Sequence, residues 1–122
     1  MGRDPEYVKR LMDETGINKQ LTWEAMSAAA LKTGAVVSTH PSRGIQQLPQ
    51  AVDLIGRGIK PEKIVIGHIE FFPNDDTLKE LLKKGVYIGL DMIGEPEGKS
   101  NEERADIVRK IKDWVLSHPL LR

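Results

Sequence analysis

Four short apolar runs, each ending in a titratable residue, constrain this chain more than any other feature. Lys63-Ile64-Val65-Ile66-Gly67-His68 is the sharpest. Its β-branched residues in a row read as a strand buried on both faces, as in a parallel sheet. Ala35-Val36-Val37-Ser38-Thr39-His40 repeats the form, and Gly85-Val86-Tyr87-Ile88-Gly89-Leu90-Asp91 ends in a carboxylate. Trp114-Val115-Leu116-Ser117-His118 is a fainter fourth. The terminal polar residues fall at 40, 68, 91 and 118, between 23 and 28 residues apart. Each step accommodates one strand, one helix and two turns, the length of a βα unit.

Helical signals fill the gaps. The segment after Pro41-Ser42-Arg43-Gly44 predicts a helix through about Arg57, with Leu48, Val52 and Ile55 on one face. Pro49 is compatible with it only in the first turn. Asp75 or Asp76 is expected to cap a helix over 77–84, and Gly85 to stop it. Ser100 with Glu103 has the form of a capping box for a helix with Ile107, Val108 and Ile111 inward. That helix runs into Trp114-Val115-Leu116 with no Gly, Pro or Asn between, so the fourth run can continue the helix instead of forming a strand. Two helices lead the chain. One starts at Asp4-Pro5 and stops at Gly16; the other is capped by Thr22, stopped at Gly34, and carries Ala25, Met26, Ala29 and Ala30 inward.

Repeating βα units give either an open doubly wound sheet or a (β/α)8 barrel. Polar residues at one strand end after another favour the barrel, whose sites gather at that rim. A whole barrel takes ~250 residues, and this chain has 122. The expectation is therefore one α/β domain over residues 1–122: a partial (β/α)8 TIM barrel, roughly its C-terminal half, with two leading helices. Lys+Arg and Asp+Glu both number 18, so no basic surplus points to nucleic acid. No apolar run approaches the ~18 residues of a membrane span, and a cytoplasmic protein is expected. With no cysteine, a metal would need histidine and carboxylate ligands.

His40 and His68, at the ends of adjacent strands, are candidate metal ligands; the alternative is a pair of rim histidines hydrogen-bonded to neighbours. Asp91 is a pocket acid, a third ligand or a turn cap. Arg43, before a helix start, could meet an anionic substrate or be a solvated loop arginine. Phe71 and Phe72 could wall an apolar pocket or cover a barrel edge. Glycines inside strands usually mark close approach of another chain or ligand, and Gly67 and Gly89 both stand beside a candidate site residue.

Thr39-His40, Ile66-Gly67-His68 and Ile88-Gly89-Leu90-Asp91, in that order, resemble strands five, six and seven of the phosphotriesterase family. Leu31-Lys32-Thr33-Gly34-Ala35 and Gly58-Ile59-Lys60-Pro61-Glu62-Lys63 agree with the segments between. Met1-Gly2-Arg3 with Met12-Asp13-Glu14-Thr15-Gly16-Ile17-Asn18 resembles the segment after strand two, especially in the phosphotriesterase homology protein branch. The resemblance implies an amidohydrolase-type barrel with a two-metal site. His40 and His68 would hold one divalent metal, zinc first among the candidates, and Asp91 would border the substrate pocket. It implies a small ester, lactone or organophosphate as substrate, with neither nucleic acid nor membrane as partner.

Departures from the family pattern are equally plain. Nothing here matches the His-x-His pair of the first strand, and the stretch holding the bridging lysine or glutamate of the fourth strand is missing, as if the family sequence jumped from Asn18 to Lys19. Pro119 follows Ser117-His118 where the family carries an aspartate, and proline neither ligates metal nor accepts a proton. Three functional classes follow. One is a metal-dependent hydrolase completed by a second chain, as in a homodimer that closes the barrel. Another is a catalytically inactive, truncated or engineered half-barrel acting as an oligomerising scaffold. The last is an unrelated α/β module binding an anion at the 41–44 loop.

Overall fold

Three parallel strands lie side by side in chain order: β1 (Val37–Thr39), β2 (Ile64–Ile66) and β3 (Tyr87–Ile88). Val37, Ser38 and Thr39 pair with Ile64, Val65 and Ile66; Val65 and Ile66 pair with Tyr87 and Ile88. The helices are α1 (Lys19–Thr33), α2 (Gln47–Gly56), α3 (Asp75–Lys84) and α4 (Asn101–Ser117). The computed structural model describes Glu6 and residues 19–40, 47–71, 74–94 and 99–118. The expected helix over 5–16 apart from Glu6, and Arg43, Phe72 and Pro119, lie outside them, as does the side chain of Phe71.

The strands are shorter than the apolar runs that announce them, and each ends before its titratable residue. Their core-facing residues are Val37 and Thr39, then Ile64 and Ile66, both wholly buried. Against them pack Ala51 and Leu54 of α2 and Leu78 and Leu81 of α3, all at 0–1 % exposure. Each buried leucine or isoleucine among them contributes roughly 1.5–3 kcal/mol by leaving water. Alternation along a strand sends Ser38, Val65 and Tyr87, which pair across the sheet, to the opposite face. There Tyr87 is 61 % exposed and Ser38 is exposed. Burial on both faces, expected from the sequence, is thus not met: among the described residues only one layer of helices covers the sheet.

Local signals explain most helix ends. Asn74, not Asp75 or Asp76, caps α3, its Oδ1 accepting the Thr77 N–H at 2.7 Å. The two aspartates fall in the first turn, where the helix dipole favours negative charge. Gly85 stops α3 at φ +82°, a left-handed conformation that suits glycine. Ser100 and Glu103 form the expected capping box, with bonds of 3.1 and 3.0 Å.

Three expectations are corrected. Helix α1 begins at Lys19, so Thr22 lies within it, and Ala25 and Ala29 are exposed while Ser27 and Ala30 are buried. The Trp23 indole N–H explains the rotation: it donates to Asp53 at 2.6 Å and ties that face to α2, while the Ser27 hydroxyl is satisfied on the Trp23 carbonyl. On α2 the fully buried stripe is Gln47, Gln50, Ala51 and Leu54, with Leu48, Val52 and Ile55 half-buried beside it. Helix α4 runs unbroken through Trp114-Val115-Leu116, so the fourth run continues the helix, as the lack of a breaker before it allowed. Lys79 of α3 stands over the Trp114 ring, 4.8 Å from its centroid. Arg104 joins Ile107 on the buried face of α4, whereas Val108 is 51 % exposed.

Candidate functional site

The ends of β1 and β2 bring two histidines into contact. His68 Nε2 lies 2.5 Å from His40 Nδ1, and the rings meet edge to face at 86° with centroids 4.3 Å apart. Gly67 makes this possible. Its N–H donates to the Thr39 hydroxyl, and a Cβ at position 67 would sit 2.5 Å from the Thr39 carbonyl oxygen. Gly89 does the same for the next strand: a Cβ there would lie 3.3 Å from the Gly67 Cα, and its N–H donates to Ile66 O at 2.7 Å. The glycines singled out in the sequence therefore mark close approach of three neighbouring strand ends.

His68 itself adopts φ +55°. A side chain in this left-handed region costs on the order of 1 kcal/mol, and such strain concentrates at functional sites. The turn aims the backbone N–H and ring Nδ1 of His68 at Asp91. The backbone N–H donates to Asp91 Oδ1 at 3.1 Å, and ring Nδ1 lies 2.5 Å from the same oxygen. A carboxylate only accepts, so Nδ1 carries the hydrogen and Nε2 presents its lone pair toward His40. The Asp91 side chain remains 44 % exposed while that of His68 is 15 % exposed.

A second carboxylate, not singled out in the sequence, stands behind. Glu70 is wholly buried. Its Oε1 accepts the Asp91 N–H at 3.2 Å, and its Oε2 accepts the Met92 N–H at 3.1 Å and Arg104 Nε at 3.2 Å. Two signals could have found it: a carboxylate two residues past a strand-end histidine, and an arginine three residues before Ile107 on the apolar face of α4. Gln47, also buried, reaches toward the His68 carbonyl at 3.5 Å, long for a hydrogen bond.

His68, Glu70 and Asp91 form a potential metal-binding group, with one ligand atom of each lying within 4.8 Å of the others. Imidazole nitrogen with carboxylate oxygen is the donor chemistry of zinc and similar divalent ions. As placed, the two ring nitrogens stand at hydrogen-bonding distance. An ion ~2.0–2.1 Å from each nitrogen requires the rings to part by roughly an ångström, which side-chain rotation supplies. A histidine whose other nitrogen is held by a carboxylate is the usual arrangement of a metal ligand. The residues present thus fit a divalent ion. His118 stands apart from this group, at the C-terminal end of α4.

A model of the phosphotriesterase family matches residues 18–121. The chain belongs to the phosphotriesterase family. It is 36 % identical over 115 residues to an aryldialkylphosphatase of Saccharolobus solfataricus, a match covering 88 % of this chain and 35 % of that protein. A phosphotriesterase homology protein of Mycobacterium tuberculosis is 29 % identical over 120 residues, covering 91 % of this chain and 37 % of its own length. The chain thus spans about a third of the length of these curated relatives.

Among solved structures, the phosphotriesterase homology protein of Escherichia coli, determined with phosphate in its active site, superposes with a TM-score of 0.69 at 26 % identity, over 75 % of this chain and 31 % of that one. A mutant of organophosphorus hydrolase gives 0.71 at 28 % identity, over 79 % and 30 %. The fold is a fragment of the family's TIM barrel, and the sequential parallel order of β1, β2 and β3 is that of consecutive barrel strands. Among the described residues no helix is long and apolar enough to cross a membrane.

Proposed function

We propose that this chain carries half of the metal site of a phosphotriesterase-type hydrolase, with His40 and His68 as ligands of one divalent ion, zinc first among the candidates. The observation behind this reading is the convergence of His40 Nδ1 and His68 Nε2 at 2.5 Å while Asp91 holds the far side of His68. Such an ion supplies Lewis acidity toward a phosphoryl or carbonyl oxygen and lowers the pKa of bound water. The chain's own residues orient and exchange protons. Asp91 fixes the tautomer of His68 through Oδ1 and, half-exposed, is accessible as a proton acceptor at the pocket rim. Arg43, four residues after β1 along the sequence, is proposed to meet an anionic group of the substrate. Names of the relatives favour phosphoesters, with phosphorus as the electrophile; lactones or other small esters offer a carbonyl carbon to the same attack.

A second reading, the inactive oligomerising scaffold, draws on the sheet itself. Among the described residues, strands β1 and β3 are both edges, and Ser38 and Tyr87 on the face away from the helices are exposed beside a half-buried Val65. Open edges favour pairing with another chain, so a homodimer that closes the sheet into a barrel belongs to either reading. Metal content by mass spectrometry, on protein purified without chelator, separates them. Near-stoichiometric metal that disappears in the His40→Ala/His68→Ala double variant supports the half site. Metal-free protein after dialysis against excess zinc leaves the scaffold.

A further inference from the structure

We propose that Glu70, backed by Arg104, is a positioning residue that sets the His68 ring through the backbone of Asp91 and Met92, and is not itself a metal ligand. This rests on the reading of His40 and His68 as a half site. Although Glu70 belongs to the group of potential ligands, both of its oxygens are already occupied: Oε1 by the Asp91 N–H, Oε2 by the Met92 N–H and Arg104 Nε. With 0 % of its side chain exposed, it has no open side from which to receive an ion. A charged carboxylate at that depth persists only because it is paired and fully hydrogen-bonded.

The bonds form a continuous line. The capping box at Ser100 starts α4 and brings Arg104 inward, where Nη1 donates to Asn101 Oδ1 at 3.1 Å and Nε to Glu70. Glu70 grips two successive backbone N–H groups, which fixes the direction in which Asp91 leaves β3. The Asp91 carboxylate then fixes His68, and His68 faces His40. Loosening the grip at 91–92 leaves every proposed ligand in the chain but lets the Asp91–His68 bond wander. Side-chain positions at such sites must hold to about half an ångström.

The test uses the full chain and reads His68 with and without metal. Long-range ¹⁵N NMR of metal-free protein, at a pH where the ring is neutral, reports which nitrogen carries the hydrogen. Cobalt(II) titration then reports affinity and, through its visible absorption, coordination geometry. In wild type we expect His68 with its hydrogen on Nδ1. Glu70→Gln, which exchanges one acceptor oxygen for an NH2 group, should mix the two tautomers and weaken cobalt binding at least tenfold. Arg104→Met leaves the two backbone bonds to Glu70 in place and should disturb the tautomer less, even where it lowers the melting temperature as much. This ordering separates positioning from mere stability.

An unchanged tautomer in Glu70→Gln overturns the proposal, as does disturbance that follows melting temperature across both variants. A cobalt spectrum showing loss of one oxygen ligand with the tautomer intact overturns it in favour of direct ligation. Should Glu70→Gln fail to fold, Glu70→Asp, which keeps the charge on a shorter arm, takes its place with the same expected mixing, and an intact tautomer there overturns the proposal. Wild-type protein that binds no cobalt counts against the half-site reading alone, because the metal-free tautomer still tests the grip on His68.

Discussion

Asp91 reaches back across the sheet to His68, accepting both its backbone N–H and, at 2.5 Å, its ring Nδ1 on a single carboxylate oxygen. One residue on β3's exit therefore holds the conformation and the tautomer of a residue on β2's exit. The arrangement is available only because Gly67 and Gly89 let the strand ends close in on each other and on Asp91 Oδ2.

Replacing Asp91 by alanine removes the acceptor for His68 Nδ1 and should weaken divalent-metal affinity by about 10–100-fold, as loss of such outer partners generally does. Asn retains an acceptor oxygen but no charge, so its effect should be smaller. Cobalt or zinc competition titration measures both. Equal affinity in wild type and Asp91→Ala would remove Asp91 from the site.

The left-handed backbone of His68 predicts an inversion of the usual glycine penalty. His68→Gly should be more stable than His68→Ala by about 1 kcal/mol, because only glycine adopts φ +55° without cost. Urea unfolding of the two variants gives the difference directly. Both should lose metal binding equally.

Gly67→Ala should be harmful out of proportion to its size. The added methyl meets the Thr39 carbonyl at 2.5 Å, and backbone cannot step aside as a side chain can. A loss of roughly 1–3 kcal/mol is the usual cost of forcing a carbon into a filled space. Histidine NMR should also show His40 and His68 moving apart. Gly34→Ala serves as a contrast: its Cβ meets nothing within 4 Å, and only the strain of φ +73° acts.

The start of α4 predicts a pH dependence. The Ser100 backbone N–H, then its side chain, hold the Glu103 carboxyl below its ordinary value. A lowered folded-state pKa means this contribution is fully present above the ordinary glutamate value and is lost as pH falls through the lowered one. Melting curves of Glu103→Gln should thus converge with wild type at acid pH and diverge above it. Ser100→Ala should cost about 1 kcal/mol at neutral pH, and with it the placement of Arg104.

That His40, His68 and Asp91 would meet at one candidate site was legible from residue types at strand ends. His40, His68 and Asp91 each follow a β-branched or aliphatic run, and parallel strands in sequential order bring such residues to one rim. Glu70 was marked only faintly, as a carboxylate two residues past His68, since its partners are two backbone N–H groups across a turn and an arginine 34 residues away. Neither the inward Arg104 nor the outward Val108 follows from apolar periodicity, which counts a charged residue as exposed unless a buried partner is known. Asn74 took the cap from its aspartate neighbours for a similarly local reason: its oxygen is the one within reach of the Thr77 N–H.

The sequence by itself determined the alternation of strand and helix, the rim at which polar residues gather, and the family to which the chain belongs. These follow from hydrophobic period, breaker residues and motif order, all written along the chain. Tertiary structure alone decided that Arg104 turns inward while Val108 faces outward, and that His68 is turned by Asp91 with Glu70 and Arg104 behind it. Each of those outcomes depends on what a residue meets across space. Burial of a charge, direction of a ring and closeness of two backbones exist only once distant segments have packed together.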